Sequence, residues 1–317
     1  MPKADILVTA PLPPFVSEPL ARDYRCVDYV RATDKPALIA AEGAKIRGLV
    51  QAGGTVTSTE LLDALPALEI ISVFGVGYDG VPVDYCKKRG LKVTNTPDVL
   101  TDDVADTAVA LVLMTARGFV RANRLLRAGD WSSGASALTT RLAGKRAGIL
   151  GLGRIGKAIA HRLSAFGLAI AYTGRSKQDV DPAWTFVSDP AKLAGQSDFL
   201  IVACPGGPAT KNLVDARVLE ALGSNGTLIN IARGSIVDEP ALIAALKAGT
   251  IRTVGLDVFA NEPIVPPELL AMDNVVLLPH VGSATAETRL AMGDLCRANL
   301  DSWFAGDGVK TLIPELR

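Results

Sequence analysis

The run Ala147-Gly148-Ile149-Leu150-Gly151-Leu152-Gly153-Arg154-Ile155-Gly156 decides how the rest of the chain is read. Its apolar start has the character of a strand, Gly151-Leu152-Gly153 that of a tight turn, and Ile155–Phe166 the spacing of an amphipathic helix. Gly151, Gly153 and Gly156 make a G-x-G-x-x-G pattern. The first glycine allows the turn, the second lets backbone approach a pyrophosphate, and the third lets helix and strand pack closely. The helix start offers N–H groups and a positive dipole end to phosphate. A glycine-rich turn with packing duty alone is the bland alternative. The strand before it, the helix after it and a further strand at Ala169–Tyr172 favour a dinucleotide site.

The strand at Ala169–Tyr172 runs into Thr173-Gly174-Arg175-Ser176-Lys177. An NAD-preferring site would place Asp or Glu near this strand end to bind the ribose 2′-hydroxyl. No acid occurs between Thr173 and Lys177; two cations and a hydroxyl stand there instead. Such a turn suits a 2′-phosphate, with Arg175 as the planar, forked partner. NADPH is therefore the expected cofactor, with NADH the weaker alternative.

Outward from the loop, short apolar runs alternate with helical stretches. Towards the C-terminus, strands are expected at Ala147–Leu150, Ala169–Tyr172, Phe199–Ala203, Thr227–Ile231, Thr253–Val258 and Val275–Leu278. Helices are expected at Ile155–Phe166, Pro190–Gln196, Asp215–Leu222 and Pro240–Ala248. Before the loop, strands are expected at Asp5–Thr9, Gly48–Gln51, Ile70–Phe74 and Lys92–Asn95. Helices there are expected at Pro36–Ile46, Ser58–Leu65 and Val83–Arg89, with Thr57, Ser58 and Thr59 as candidate caps. Strands without apolar–polar alternation suit parallel sheets buried on both faces. Two long helices, Thr101–Arg127 and Ala284–Phe304, read as the connections between two domains, with Thr101-Asp102-Asp103 supplying cap and dipole chemistry to the first.

The 317-residue length agrees with two domains at roughly 150 residues each. A 49% apolar share supplies two cores and excludes a disordered chain. Lys plus Arg and Asp plus Glu each total 33, so the net charge is zero. That balance argues against a protein built to hold nucleic acid or an anionic membrane. No run of about 18 uncharged apolar residues occurs, and the N-terminus lacks the apolar core of a signal peptide. Cys26, Cys86, Cys204 and Cys296 are scattered and read as reduced, mostly buried thiols in a cytoplasmic protein with no metal site. Only His161 and His280 are available for imidazole chemistry, and His161 reads as a bystander on the helix after the glycine loop.

Three later segments each follow an expected strand: Asn230-Ile231-Ala232-Arg233-Gly234, Asp257-Val258-Phe259-Ala260-Asn261-Glu262-Pro263 and Leu278-Pro279-His280-Val281-Gly282-Ser283. Ligands of open α/β sheets bind beyond the carboxyl ends of the strands, so Arg233, Glu262 and His280 converge there. Each suits reduction of a 2-oxo acid. Arg233 can grip a carboxylate and polarise the keto oxygen. His280 can protonate that oxygen as hydride reaches carbon. Glu262 can hold the other imidazole nitrogen and fix the ring. Alone, each has a bland reading as surface or loop; together behind a dinucleotide loop they favour catalysis.

These blocks, with Phe74-Gly75-Val76-Gly77-Tyr78-Asp79 and Asn95-Thr96-Pro97, resemble the D-isomer-specific 2-hydroxyacid dehydrogenases over essentially the whole chain. Val202-Ala203-Cys204-Pro205, Val275–Val281 and Glu287-Thr288-Arg289 are most similar to the NADPH-dependent hydroxypyruvate and glyoxylate reductases of that family. The resemblance implies a catalytic triad of Arg233, Glu262 and His280, and substrate carboxylate binding by backbone N–H groups around Val76 and Gly77. The glycines there suit close backbone approach in their own right. It implies that Asp257 contacts the nicotinamide carboxamide, that Gly282 lies beside that ring, and that Thr107 faces the cofactor. Leu152, Arg154, Ile155, Cys204, Pro205, Thr210, Ile231 and Ala232 complete the expected cofactor contacts. After Cys204-Pro205 the chain departs from the family's usual wording, with Gly206-Gly207-Pro208-Ala209-Thr210.

The expected fold is α/β with two doubly wound parallel-sheet domains. One is a Rossmann cofactor domain at 99–285. The other is a discontinuous, flavodoxin-like substrate domain at 1–98 and 286–317, with a cleft between the two. The expected activity is NADPH-dependent reduction of hydroxypyruvate or glyoxylate to D-2-hydroxy acids, and the resemblance implies a homodimer. The alternatives are a dinucleotide-sensing corepressor of the same fold, or a dehydrogenase of that fold acting on formate or phosphite. Leu12, Pro13, Phe15 and Val76 are candidate pocket walls, and Trp131 is a candidate for contact with a partner subunit.

Overall fold

The computed structural model describes residues 3–133 and 138–317. The chain divides into two compact units, Met1–Leu100 with Ala284–Arg317, and Thr101–Ser283.

The first unit opens with β1 (Asp5–Val8), α1 (Pro14–Asp23), β2 (Arg25–Asp28), α2 (Lys35–Glu42) and β3 (Ile46–Ala52). It continues with α3 (Thr59–Asp63), β4 (Ile70–Phe74), α4 (Val83–Arg89) and β5 (Lys92–Thr94). The strands pair in parallel in the order β2-β1-β3-β4-β5, the flavodoxin-like arrangement. All five residues of β4 are buried, which is why its sequence shows no alternation. Leu7, Leu49, Ile71, Val73 and Val93 share one core cluster beside α3 and α4. Ser58 caps α3 by accepting the Leu61 N–H, so it is the cap among the three neighbouring hydroxyls.

Several expectations need correction here. The helix expected to reach Ile46 stops at Glu42; a single tight turn at Gly43–Lys45 follows, and Ile46 is the fully buried first residue of β3. α1 and β2 have no counterpart among the expected elements. Pro19 lies inside α1 and masks its helical pattern. β2 is an edge strand in which only Val27 is buried, so it carries no apolar run.

The second unit contains α5 (Thr101–Arg117), α6 (Phe119–Arg127), β6 (Arg146–Leu150), α7 (Arg154–Ala165), β7 (Ala169–Thr173), β8 (Thr185–Phe186) and α8 (Pro190–Gly195). Then come β9 (Phe199–Val202), α9 (Ala216–Leu222), β10 (Thr227–Asn230), α10 (Glu239–Ala248), β11 (Thr253–Leu256), α11 (Pro267–Leu270) and β12 (Val275–Leu277). Their parallel order is β12-β11-β10-β9-β6-β7-β8. Counted from β6, this is the Rossmann order with one further strand at the β12 edge and a two-residue strand, β8, at the other. The order reverses between β6 and β9, so the glycine loop leaves the sheet at its topological switch point. Both sheets and their order agree with the expected fold class. The expected helix Thr101–Arg127 is two helices, broken where Gly118 takes a left-handed φ of 59°. The chain re-enters the first unit and forms α12 (Ala286–Ala305), which Thr285 caps and which packs on β4. No helix among the described residues is long and apolar enough to cross a membrane.

Candidate active site

The glycine loop is built by contacts as well as by conformation. Gly151 has φ 99°, and a Cβ there would sit 2.6 Å from the Cα of Cys204, the residue two beyond β9. Any side chain would pay for a positive φ, about 1–2 kcal/mol, and would also collide across the switch point. A Cβ on Gly156 would strike the Gly151 carbonyl oxygen, so helix and turn need bare backbone there. Around Gly153, by contrast, a Cβ would meet nothing within 4 Å. Gly153 is the N-cap of α7 and offers no side-chain cap, so the N–H groups of Ile155 and Gly156 lack intrahelical acceptors. Open space over uncapped helix N–H groups fits a pyrophosphate.

Thr173 ends β7 and is buried, whereas Gly174, Arg175, Ser176 and Lys177 are all exposed. Gln178 ties this basic turn down. Its Nε2 donates to the Leu152 carbonyl at 2.9 Å, and its backbone N–H donates to the Tyr172 hydroxyl at 2.9 Å. The turn is thereby fastened to the glycine loop itself. Gln178 was not foreseen, because nothing in its sequence position marks a side chain that bonds a carbonyl 26 residues away. Nearby, Cys204 is buried, and burial pushes its thiol pKa up to about 11, so it is a packing residue. The Thr210 hydroxyl donates to the Pro205 carbonyl at 2.7 Å, closing the loop after β9 on itself.

The ends of β10, β11 and β12 lie side by side in the sheet and carry Arg233, Glu262 and His280 in the segments that follow. Asn230, buried at the end of β10, shapes the first of these. Its Oδ1 accepts the Ala232 N–H at 3.0 Å and its Nδ2 donates to the Arg233 carbonyl at 2.9 Å. Arg233 Nη1 donates to the Ala232 carbonyl at 2.7 Å. Gly234 then passes so close to the Phe259–Ala260 peptide that a Cβ would overlap it. The Arg233 and Glu262 segments are therefore in backbone contact.

Glu262 is held at both oxygens. Oε1 accepts the Phe259 N–H at 3.0 Å, and Oε2 lies 2.6 Å from His280 Nδ1. Burial alone would raise its pKa. The His280 hydrogen bond, the Phe259 N–H, and the charges of His280 and Arg233 outweigh burial, and the pKa lies below the usual glutamate value. An ionised Glu262 accepts from Nδ1, which leaves Nε2 of His280 as the nitrogen turned to chemistry.

His280 itself sits at φ 54°, in the left-handed region. Asp257, next after β11 and 1% exposed, explains how that is sustained: Oδ1 accepts the Val281 N–H at 2.7 Å and Oδ2 the Gly282 N–H at 2.8 Å. The left-handed backbone costs about 1–3 kcal/mol, and two hydrogen bonds to a carboxylate return about 1.5–3 kcal/mol each. The bonds win, and the loop holds. Burial raises the Asp257 pKa despite the two N–H donors and the nearby His280 charge. On α5, Thr107 Oγ1 reaches the Gly282 carbonyl at 3.5 Å. Arg233, Glu262 and His280 thus form one interlocked group, with Asn230, Gly234 and Asp257 as its frame. The frame residues stood in the quoted segments; the bonds of Asn230 stay within its own turn, whereas Gly234 and Asp257 act across to neighbouring segments, and residue spacing carries no trace of those contacts.

Other expected residues are placed as follows. Ile231 is buried and Ala232 half-buried beside Arg233. Val76 and Gly77 are half-buried on the loop after β4. Leu12 and Pro13 are half-buried, and Phe15 is exposed on α1. His161 is exposed on α7, with its ring 4.8 Å from that of Trp184 in an edge-on contact. No group of three or more His, Cys, Asp or Glu able to hold a metal ion occurs among the described residues.

This geometry can be set beside known proteins. Residues 109–282 match the family model described as D-isomer specific 2-hydroxyacid dehydrogenase, NAD binding domain. The chain is 44% identical to hydroxyphenylpyruvate reductase of Plectranthus scutellarioides, over 97% of this chain and 98% of that one. It is 43% identical to glyoxylate/hydroxypyruvate reductase A HPR2 of Arabidopsis thaliana, over 99% of this chain and 100% of that one. The crystal structure of NADPH-dependent glyoxylate/hydroxypyruvate reductase from Sinorhizobium meliloti, in complex with NADP and malonate, aligns with a TM-score of 0.92 at 44% identity, covering 99% of this chain and 98% of that one. With its glycine loop at the switch point, its two parallel sheets and this likeness along nearly its full length, the chain belongs to the D-isomer-specific 2-hydroxyacid dehydrogenase family, and it is an oxidoreductase.

Proposed function

We propose that the protein reduces small 2-oxo acids, glyoxylate and hydroxypyruvate foremost, to D-2-hydroxy acids with NADPH. The observation that carries this reading is the 2.6 Å contact between His280 Nδ1 and Glu262 Oε2, beside the Arg233 segment. NADPH, when bound, supplies the hydride that adds to the keto carbon. Arg233 grips the substrate carboxylate and draws electron density towards the keto oxygen. His280 gives its Nε2 proton to that oxygen as negative charge develops there, and recovers a proton from solvent afterwards. Glu262 holds the ring orientation and stabilises the charged imidazolium before the transfer. The N–H groups of Val76 and Gly77 bind the carboxylate as well.

For the cofactor, α7 and the loop from Gly151 to Gly156 take the pyrophosphate, and Arg175, Ser176 and Lys177 take the 2′-phosphate. Thr173, Gly174, Cys204, Pro205 and Thr210 border the adenosine end. Ile231, Ala232, Asp257, Gly282 and Thr107 border the nicotinamide. The exposed basic turn and the absence of an acid from Thr173 to Lys177 support NADPH over NADH. The Sinorhizobium meliloti relative, described as NADPH-dependent and crystallised with NADP, supports the same choice.

We further propose a homodimer. Phe119 and Leu126 on α6, with Trp131 just beyond, are exposed at 47%, 58% and 72%, an apolar concentration that suits a second copy of the chain. The deciding experiment for function is a panel of glyoxylate, hydroxypyruvate and bulkier 2-oxo acids against NADPH and NADH. Efficient turnover of the small acids with NADPH is expected. No reduction of any 2-oxo acid overturns the proposal and favours a dinucleotide sensor.

A further inference from the structure

Two successive carbonyls of the loop after β4 are held by the segment that follows β5. The Thr96 N–H donates to the Gly75 carbonyl at 2.9 Å, and Asn95 Nδ2 donates to the Val76 carbonyl at 2.9 Å. These carbonyls belong to two successive peptide units, Gly75–Val76 and Val76–Gly77. In a trans peptide the C=O and N–H point in opposite directions. Fixing both carbonyls towards Asn95 and Thr96 therefore turns the N–H groups of Val76 and Gly77 together to the opposite side. Neither N–H has a hydrogen-bond acceptor among the described residues. Two neighbouring, co-directed N–H groups make a cradle for an anion.

Asn95 is itself held in place. Its backbone N–H donates to the Thr311 carbonyl at 3.3 Å, and its carbonyl accepts the Thr311 hydroxyl at 2.6 Å. Thr311 in turn is fixed by Asn299 on α12, which is 0% exposed. Asn299 Oδ1 accepts the N–H groups of Lys310 and Thr311 at 3.0 and 2.9 Å, and its Nδ2 donates to the Thr311 hydroxyl at 2.8 Å. A polar chain, buried at Asn299 and Asn95 and half-buried at Thr311 and Val76, thus runs Asn299, Thr311, Asn95, Val76. Burying this many amide groups is costly unless each is paired, so the chain adopts one arrangement and passes its rigidity to the loop.

We propose that Asn95 is a positioning residue for the substrate carboxylate, aiming the Val76 and Gly77 N–H groups at it, with Thr311 and Asn299 as its support. The inference rests on the reading of the protein as a 2-oxo acid reductase. It differs from a folding role in one respect: it predicts a loss that depends on the substrate's negative charge.

The test compares glyoxylate with its uncharged methyl ester in the protein, for wild type and Asn95→Leu, a change that keeps the branched side-chain outline, removes the amide and introduces no charge. Losing one charge-assisted N–H contact should raise KM for glyoxylate about 10–100-fold. The acid-to-ester ratio of kcat/KM should fall by a similar factor, and the dissociation constant of the nicotinamide cofactor should stay within about twofold. A ratio unchanged from wild type overturns the inference, even where both rates fall together. Should Asn95→Leu lose cooperative melting, Thr311→Val reads the same chain. Its ratio should fall about 3–10-fold, as expected for one neutral hydrogen bond removed at a distance, and no change there overturns the inference. A wild type that reduces neither acid sinks the functional reading, whereas an active wild type with an unaltered variant ratio sinks this inference alone.

Discussion

His280 Nδ1 and Glu262 Oε2 are 2.6 Å apart, although the two residues come from segments following different strands. Both segments are braced: Glu262 by the Phe259 N–H, its segment by Gly234, and the His280 segment by Asp257 at the start of the Glu262 segment. The contact is thus the meeting of two rigid loops rather than of two flexible side chains.

Glu262 titrates below the ordinary carboxylate range, so its ionised form is favoured by folding. The stability it contributes is complete above the unfolded carboxylate value of about 4.3 and is lost as pH falls through the lower folded value. Glu262→Gln should therefore melt below wild type at pH 7, and the gap should close as pH drops under about 4. Thermal melts of both proteins from pH 7 to 3 check this. A constant gap across that range would remove the charge from the account.

Asp257→Asn replaces one of two acceptors with an NH2 group facing a backbone N–H. One hydrogen bond is lost and a donor is left opposed, which should cost about 1–3 kcal/mol in a urea melt. Because those bonds sustain the left-handed backbone at His280, kcat should fall as well. A variant destabilised to this degree but with wild-type kcat would show that Asp257 serves folding alone.

Arg175→Ala should lower the NADPH-to-NADH ratio of kcat/KM about 10–100-fold, the equivalent of one charge-assisted phosphate contact. Gln178→Ala should lower it less, since Arg175 and Lys177 remain and only their tether to Leu152 is cut. Steady-state kinetics with both cofactors read the two variants. An unchanged ratio in Arg175→Ala would reassign the basic turn to ordinary surface.

Leu126→Glu combined with Trp131→Glu should yield monomers by light scattering where wild type runs as a dimer, since burying two carboxylates in an apolar contact is strongly unfavourable. A wild type already monomeric would count against the homodimer.

Much of this architecture is legible in the chain. The glycine loop is a local pattern whose spacing directly states a turn and a helix start, and central strands such as β4 and β6 are apolar runs because both of their faces are covered. Arg233, Glu262 and His280 stand out because each is a polar group following an apolar strand. What escapes such reading is tertiary. Gly234, Asp257 and Gln178 act through bonds or contacts between separate segments. α1 hides behind Pro19, and β2 behind its exposed edge. The break between α5 and α6 turns on one left-handed glycine inside an otherwise helical pattern.

Proton transfer by His280 is read by the turnover of His280→Asn with NADPH and hydroxypyruvate. His280→Asn should lower kcat by about 10²–10⁴-fold, the usual contribution of a general acid, with the NADPH dissociation constant unchanged. A kcat within about twofold of wild type would contradict it.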